Sequence, residues 1–206
     1  MKISVSVLNK YDRLINAVKK VNDSSADYLH IDVMDGRFVD NKKFPYEVVK
    51  DIKEISRKPL DVHLMVESHD MIKEYALLNP EYLTFHVEII DDFTLIDYVK
   101  KLGIKVGLAI NPETNIDKLI PYINDIDLVL YMSLSPGYGG QEFKVEVIDK
   151  IKKLKEVAPN NLIISIDGGV NNKTIRLCKD AGCNMIVSGS FITNSLNYNE
   201  KIKELR

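Results

Sequence analysis

The sequence predicts an α/β protein of the (β/α)8 or TIM-barrel class, and three observations lead to this prediction. Short runs rich in β-branched and aromatic residues alternate with longer stretches of helical spacing along the chain, which is typical of parallel βαβ units. Eight such runs occur in 206 residues, a number that fits a compact barrel. Acidic and imidazole side chains stand at the ends of several runs, where this fold gathers its functional groups.

The eight strands are predicted from short apolar runs that turn residues or helical patterns separate. In chain order they are Ile3–Leu8, Tyr28–Asp32, Leu60–Met65, Tyr82–His86, Lys105–Ala109, Leu128–Met132, Leu162–Asp167 and Met185–Ser188. An open doubly wound sheet is the alternative architecture. No Gly-x-Gly-x-x-Gly motif follows the first strand, which argues against the dinucleotide-binding version of that sheet.

The segments between the strands have the apolar spacing of helices. Three shared faces are formed by Leu14, Val18 and Val21, by Val48, Ile52 and Ile55, and by Val147, Ile151 and Leu154. Gly103 and Gly182 stand just before the fifth and eighth strands, where helix C-caps are expected. No Pro-, Gly- or Ser-rich linker divides the chain, so we predict a single domain over residues 1–206.

Composition and charge exclude several classes of partner. The net charge is −2 at pH 7, and the absence of a basic excess argues against nucleic acid or an anionic membrane. No apolar run approaches about 18 residues, so no transmembrane helix is expected, and the first residues do not read as a signal peptide. We expect Cys178 and Cys183 to be free thiols in a reducing cytosol, and we predict a cytoplasmic protein.

Two imidazoles and two carboxylates form a candidate metal site. His30 and Asp32 lie two apart on the second strand and therefore face the same side, while His63 and Asp167 lie at the ends of the third and seventh strands. Each could alone be a hydrogen-bonded core group or a turn cap. Together they suit Zn²⁺, and also Fe²⁺, Mn²⁺ or Co²⁺, because burying all four without a partner would be costly.

Other residues near the strand ends are weaker candidates for a functional role. Asp35 and Gly36 are expected to form only a turn, and His69 is expected at the surface. His86 ends the fourth strand and either faces the site or makes a structural hydrogen bond. Three methionines lie near the same rim and are either core filler or a flexible apolar lining that excludes water. They are Met34, Met65 and Met132.

Glycine-rich loops after the sixth, seventh and eighth strands indicate a phosphate-binding site. Glycines allow backbone N–H groups to approach an anion closely, and the last two of these loops form the usual phosphate site of barrel enzymes. The loop residues are Gly137, Tyr138, Gly139 and Gly140, then Gly168 and Gly169, then Gly189 and Ser190. Backbone amides can hold a phosphate there without Lys or Arg.

Seven motifs occur in order over nearly the whole chain. They are Ser6-Val-Leu8, His30-Ile-Asp-Val-Met-Asp-Gly36, Asp61-Val-His-Leu-Met65, Gly107-Leu-Ala-Ile-Asn-Pro112, Met132-Ser-Leu-Ser-Pro-Gly-Tyr-Gly-Gly-Gln141, Asp167-Gly-Gly169 and Gly189-Ser190. Their joint occurrence closely resembles the ribulose-phosphate 3-epimerase family. The chain departs from the usual family pattern in Val5-Ser-Val-Leu8, where the family usually has Pro-Ser-Ile-Leu, at Asp40 and in the shorter loop 42–45. These departures leave the rim after the second strand, and any subunit contact there, open.

The resemblance implies a metal-dependent isomerase of the pentose phosphate pathway that interconverts D-ribulose 5-phosphate and D-xylulose 5-phosphate. It implies one divalent metal bound by His30, Asp32, His63 and Asp167, with Asp32 and Asp167 as the acid/base pair at C3 of a 2,3-enediolate. The implied sugar-phosphate contacts are Ser6, His63, Gly137, Tyr138, Gly139, Gly140, Gly168, Gly169, Gly189 and Ser190. Family members are commonly homo-oligomers, so we expect one here.

Three alternatives compete with this prediction. An epimerase for another ketose phosphate, such as D-allulose 6-phosphate, would share the barrel and the metal site. A phosphate-binding decarboxylase barrel would need Asp-x-Lys-x-x-Asp at a strand end, whereas Asp32-Val-Met34-Asp35 has no Lys. A sugar-phosphate-binding barrel without turnover would not require both a metal set and two opposed carboxyls.

Overall fold

The computed structural model describes residues 1–137 and 143–206 and contains a closed parallel β-barrel. The strands are β1 (Lys2–Ser6), β2 (Tyr28–Asp35), β3 (Lys42–Lys43), β4 (Leu60–Met65), β5 (Tyr82–His86), β6 (Lys105–Ile110), β7 (Leu128–Met132), β8 (Ile163–Asp167) and β9 (Met185–Ser188). All except β3 are parallel barrel strands, and β1 closes the ring because it pairs with both β2 and β9. This confirms the predicted (β/α)8 TIM-barrel class.

Four of the eight predicted strands have the bounds that the structure gives, and the others differ at their ends. β2 continues to Asp35, three residues beyond its predicted end, since Val33 and Met34 are also buried and continue the pairing with β4. The predicted first strand ran to Leu8, but the strand ends at Ser6, and Leu8 begins a 3-10 helix. The short strand β3, antiparallel to the end of β2, was not predicted.

Helices surround the barrel and pack their apolar faces against it. They are α1 (Leu14–Asn22), α2 (Tyr46–Ile55), α3 (His69–Ala76), α4 (Thr94–Lys101), α5 (Val147–Val157), α6 (Ile175–Ala181), α7 (Ser190–Thr193) and α8 (Tyr198–Leu205). Short 3-10 helices span Leu8–Arg13, Val87–Ile89, Ile116–Lys118 and Ile120–Tyr122.

The buried faces of α1 and α5 follow the predicted spacing, whereas the buried face of α2 is rotated relative to the predicted one. α1 and α5 bury the residues of their predicted faces, apart from the half-buried Leu14. In α2 the buried residues are Val49 and Ile52, whereas Ile55 is exposed. The predicted C-caps are confirmed, because Gly182 ends α6 in the left-handed region and Gly103 follows α4 with a φ of 77°.

The largest hydrophobic cluster lies between the strands and the surrounding helices and takes in residues from nearly every element. Cys178 and Cys183 are buried free thiols, as expected. Among the helices of the two described ranges, none combines the length and apolar character needed to cross a membrane.

Candidate metal and proton-transfer site

The structure brings together His30 and Asp32 from within β2, His63 from within β4 and Asp167 from the carboxyl end of β8. One nitrogen or oxygen from each of the four lies within 4.8 Å of the others. Asp32 Oδ1 is 3.2 Å from His30 Nε2 and 3.4 Å from His63 Nδ1. Asp167 Oδ2 is 4.0 Å from His30 Nε2.

The four residues fit a divalent cation in both spacing and chemistry. Ligands held about 2.1 Å from a tetrahedral Zn²⁺ lie roughly 3.4 Å apart, close to the two separations from Asp32. His63 Nδ1 is buried and has no hydrogen-bond partner among the described residues, since its contact with Asp32 lacks hydrogen-bond geometry. A buried, unpartnered imidazole nitrogen beside two carboxylates is suited to metal ligation.

His30 is held by a carboxylate on the neighbouring strand. Its Nδ1 lies 2.7 Å from Asp61 Oδ2, and the Ser4 hydroxyl donates to the same oxygen at 2.7 Å. Burial alone would lower the pKa of His30, but the charges of Asp61 and Asp32 raise that pKa well above its ordinary value. Because Asp61 fixes Nδ1, the other nitrogen, Nε2, faces the cluster, and a metal bound there would displace a proton.

The two carboxyls of the cluster differ in proton affinity. Burial opposes ionisation of Asp32, but the charge of His30 and its hydrogen bond outweigh burial, so the pKa of Asp32 lies well below its usual range. Ser6 Oγ also donates to Asp32 Oδ2 at 2.7 Å. Burial and then the negative charge of Asp32 raise the pKa of Asp167 to about 6. Asp32 is therefore held in its ionised form, whereas Asp167 holds a proton more tightly.

His63 continues into a buried chain of polar groups that leads away from the cluster. Its Nε2 lies 3.0 Å from His86 Nε2, and His86 Nδ1 lies 3.1 Å from Glu88 Oε2. Burial lowers the pKa of His86 to about 4. Burial opposes ionisation of Glu88, but hydrogen bonds from His86, Thr114 and the Asn111 backbone lower its pKa to about 2.

A cavity of about 460 Å³ opens beside the cluster at the carboxyl end of the barrel. Several predicted substrate contacts line it: Ser6, Gly137, Gly168, Gly169, Gly189 and Ser190. The buried methionines Met34, Met65 and Met132 line it too, so these side chains are at once core and cavity wall. The predicted contacts at Tyr138, Gly139 and Gly140 lie outside the described residues.

Several residues of this neighbourhood were not predicted from the sequence. Asp61 contacts His30 of the cluster, Ser4 contacts Asp61, and Glu88 contacts His86. The sequence leaves His86 open between a site role and a structural one. The spacing of Asp61 and His63 contains a usable signal, because residues two apart on a strand face the same side. His69 is exposed, as expected, and Asp35 caps its turn by accepting from the Arg37 and Phe38 backbones.

The fold and the site define a (β/α)8-barrel protein with a buried His/Asp cluster able to hold a metal at the mouth of the barrel. The model of the ribulose-phosphate 3-epimerase family matches residues 2–193. Ribulose-phosphate 3-epimerase of Bacillus subtilis (strain 168) is 37% identical over 213 residues, covering 100% of this chain and 98% of the relative. The enzyme of that name from Methanocaldococcus jannaschii is 34% identical, covering 100% and 90%.

The chain belongs to the ribulose-phosphate 3-epimerase family, and it is therefore a carbohydrate epimerase, an isomerase. Among solved structures, KGPDC from Streptococcus mutans matches with a TM-score of 0.73 at 12% identity, covering 99% of this chain and 94% of that one. Orotidine 5'-phosphate decarboxylase from Pyrococcus horikoshii OT3 matches with a TM-score of 0.69 at 15% identity, covering 99% of each. At such identities these likenesses concern the fold alone.

Proposed function

We propose that the protein interconverts D-ribulose 5-phosphate and D-xylulose 5-phosphate by moving a proton at C3. The observation that carries this proposal is the pair of carboxyls, Asp32 and Asp167, which belong to one cluster and differ in proton affinity. Membership of the epimerase family and the cavity that adjoins both carboxyls support it. Epimerisation needs such a pair, because inversion removes a proton from one face of a carbon and returns one to the other.

In one direction of the reaction, Asp32 accepts the C3 proton and Asp167 donates its proton to the opposite face. The C3 proton is weakly acidic because it is next to a ketone, and its removal leaves a 2,3-enediolate. Asp32 begins as a carboxylate whose Oδ2 is fixed by the Ser6 hydroxyl. In the other direction the two carboxyls exchange roles, as a reversible epimerisation requires.

We propose that His30, Asp32, His63 and Asp167 hold one divalent metal ion, with Zn²⁺ favoured by the two imidazoles and Fe²⁺, Mn²⁺ and Co²⁺ as alternatives. When bound, the ion would supply Lewis-acid stabilisation of the negative charge that develops on the substrate oxygens. Asp61 and His86 would then each hold one ligand imidazole with its free nitrogen toward the cluster.

The far end of the substrate would be held by the loops that follow β7, β8 and β9. Gly168 and Gly169 both have positive φ angles, and a Cβ at Gly168 would lie 2.5 Å from Ser133 Oγ. The positive φ angles at both positions, and the close contact at Gly168, therefore favour glycine where this loop lines the cavity. With Gly189 and Ser190 they would bind the phosphate, so that binding energy from a remote group orients C3. We extend this role to Gly137, Tyr138, Gly139 and Gly140.

Three broader features also belong to the proposal. We propose that residues 1–206 form a single catalytic domain, that the protein is a homo-oligomer, and that it acts in the cytoplasm. The buried free thiols Cys178 and Cys183 are compatible with a reducing compartment.

The experiment is a coupled assay of ribulose 5-phosphate conversion, after chelation and then with each divalent metal restored. We expect metal-dependent turnover that falls by at least about a thousandfold in both Asp32→Asn and Asp167→Asn, because each variant lacks one of the two proton carriers. The matched control is Asp12→Asn, which removes an exposed carboxylate outside the cluster. Folded protein that turns over D-allulose 6-phosphate but not the pentulose would overturn the substrate assignment.

A further inference from the structure

We propose that Glu88 and His86 are positioning residues that fix the tautomer of His63, so that its Nδ1 presents a lone pair to the metal. This inference rests on the metal site of the proposed function, states how His86 acts on its ligand there, and extends the site to Glu88. It also gives a role to the segment 107–112, whose Asn111 contacts Glu88.

The hydrogen-bonded series Glu88–His86–His63 begins at the Glu88 carboxylate, one oxygen of which accepts from two donors. Glu88 Oε1 accepts from the Asn111 backbone N–H at 2.9 Å and from the Thr114 hydroxyl at 2.6 Å. Glu88 Oε2 faces His86 Nδ1 at 3.1 Å. An ionised carboxylate can only accept hydrogen bonds, so His86 Nδ1 must carry the proton of that ring.

The same reasoning assigns the donor and the acceptor in the next hydrogen bond, between His86 and the proposed metal ligand His63. In neutral His86, a proton on Nδ1 leaves Nε2 as an acceptor, and the only polar contact of that nitrogen among the described residues is His63 Nε2 at 3.0 Å. His63 Nε2 must then be the donor, so the lone pair of neutral His63 lies on Nδ1. That nitrogen is the one 3.4 Å from Asp32.

The packing around His86 allows little rearrangement of this chain. His86 and His63 are fully buried, and the two rings meet edge to edge through their Nε2 atoms, with centroids 5.1 Å apart and planes 29° from parallel. The Phe38 ring lies 4.3 Å from the His86 ring. Because the rings are held in place, the chemistry of the Glu88 position decides which nitrogen of each imidazole carries a proton.

The substitution Glu88→Gln tests this inference with almost no change in shape. The Gln carbonyl must accept from Asn111 and Thr114, which leaves its NH2 group facing His86 Nδ1. His86 must then carry its proton on Nε2 and donate to His63, whose own proton moves to Nδ1. That proton would occupy the nitrogen that ligates the metal.

The experiment compares wild type, Glu88→Gln and the matched control Glu113→Gln, which removes an exposed carboxylate bound to Lys144. Zn²⁺ is titrated calorimetrically into each metal-free protein, and ¹⁵N-histidine NMR of the metal-free proteins reports the tautomer of His63. We expect Zn²⁺ affinity to fall about 10- to 100-fold in Glu88→Gln and to stay unchanged in Glu113→Gln. We expect the His63 proton on Nε2 in wild type and on Nδ1 in Glu88→Gln.

The outcomes separate this inference from the proposed function. Zn²⁺ binding by wild type together with equal binding by Glu88→Gln would overturn the inference and leave the metal site intact. A His63 proton on Nδ1 in metal-free wild type would also overturn it, and this measurement needs no variant to fold. If wild type binds neither Zn²⁺ nor another divalent metal, the metal part of the proposed function fails, and the inference fails with it.

Discussion

At the scale of single residues, the environment gives two identical functional groups different chemistry. Asp32 and Asp167 are both aspartates on barrel strands, and burial raises the proton affinity of each. Asp32 contacts two imidazoles and a serine hydroxyl, which favour its ionised form. Asp167 lies farther from His30 and next to the charge of Asp32, so its neutral form is favoured. The separation of the two proton affinities therefore comes from their neighbours.

The raised pKa of Asp167 predicts how Asp167→Asn changes the stability of the metal-free protein. Because the folded pKa of about 6 exceeds the unfolded value, the folded state binds more protons between about pH 4 and pH 6, and stability falls as the pH rises through that window. Replacing the carboxyl of Asp167 by an amide removes this loss of stability at higher pH. We expect Asp167→Asn to raise the free energy of unfolding at about pH 8 by roughly 1–3 kcal/mol, and to change it little near pH 4.

Urea unfolding at the two pH values, in the presence of chelator, measures this effect. Asp12→Asn provides the control, since it removes an exposed carboxylate without entering the cluster. A lower stability of Asp167→Asn at both pH values would contradict the prediction, because the carboxylate would then stabilise the fold.

At the scale of elements, parallel register decides which side chains meet. β2 and β4 pair with His30 opposite Asp61 and Asp32 opposite His63. Each strand therefore supplies one imidazole and one carboxylate at adjacent levels, and each imidazole lies next to a carboxylate of the other strand. The carboxylate of Asp61 fixes His30, and the carboxylate of Asp32 faces His63.

The sequence predicts the barrel and the four clustered residues because both depend on local patterns. Buried strands read as apolar runs, and groups at their carboxyl ends meet in this fold. It could not predict β3, whose two residues are both lysines and carry no apolar signal. It could not predict the contacts of Asp61 and Glu88 either, because these depend on register between strands and on a loop from β6.

The loop after β8 depends on a glycine that no other residue can replace without strain. Gly168 has a φ of 111°, and a Cβ there would lie 2.5 Å from Ser133 Oγ and 2.6 Å from Leu134 Cγ. Gly103 has a φ of 77°, but a Cβ there would meet nothing within 4 Å. Both positions impose backbone strain on alanine, of about 1–2 kcal/mol, and only Gly168 adds a steric clash.

We therefore expect Gly168→Ala to lower the free energy of unfolding by more than Gly103→Ala does, and to raise KM by at least about tenfold because the loop shifts from the cavity. Gly103→Ala is the matched control for backbone strain alone and should leave KM unchanged. Denaturant unfolding and steady-state kinetics measure the two effects. Equal losses of stability in the two variants would contradict the proposed clash.

At the scale of the whole molecule, the cluster joins parts of the barrel that do not pair with each other. β4 and β8 lie four strands apart in the closed ring of eight, and β2 lies three strands from β8. His63 from β4 and Asp167 from β8 are nonetheless both within the 4.8 Å cluster. A cation held by them would link opposite walls of the barrel. It would therefore bind only when the whole ring of strands is folded.

Zn²⁺ should therefore raise the melting temperature of the metal-free protein. A ligand that binds only the folded state, at about 100 times its Kd, contributes about 2.7 kcal/mol, which for a chain of this size is a shift of roughly 5–10 °C. Differential scanning calorimetry of wild type, His63→Gln and His69→Gln measures it. His69 is exposed and lies outside the cluster, so His69→Gln should keep the shift and His63→Gln should lose most of it. An equal shift in both variants would mean that Zn²⁺ stabilises the fold from another site, because His63 supplies a nitrogen to the cluster and His69 does not.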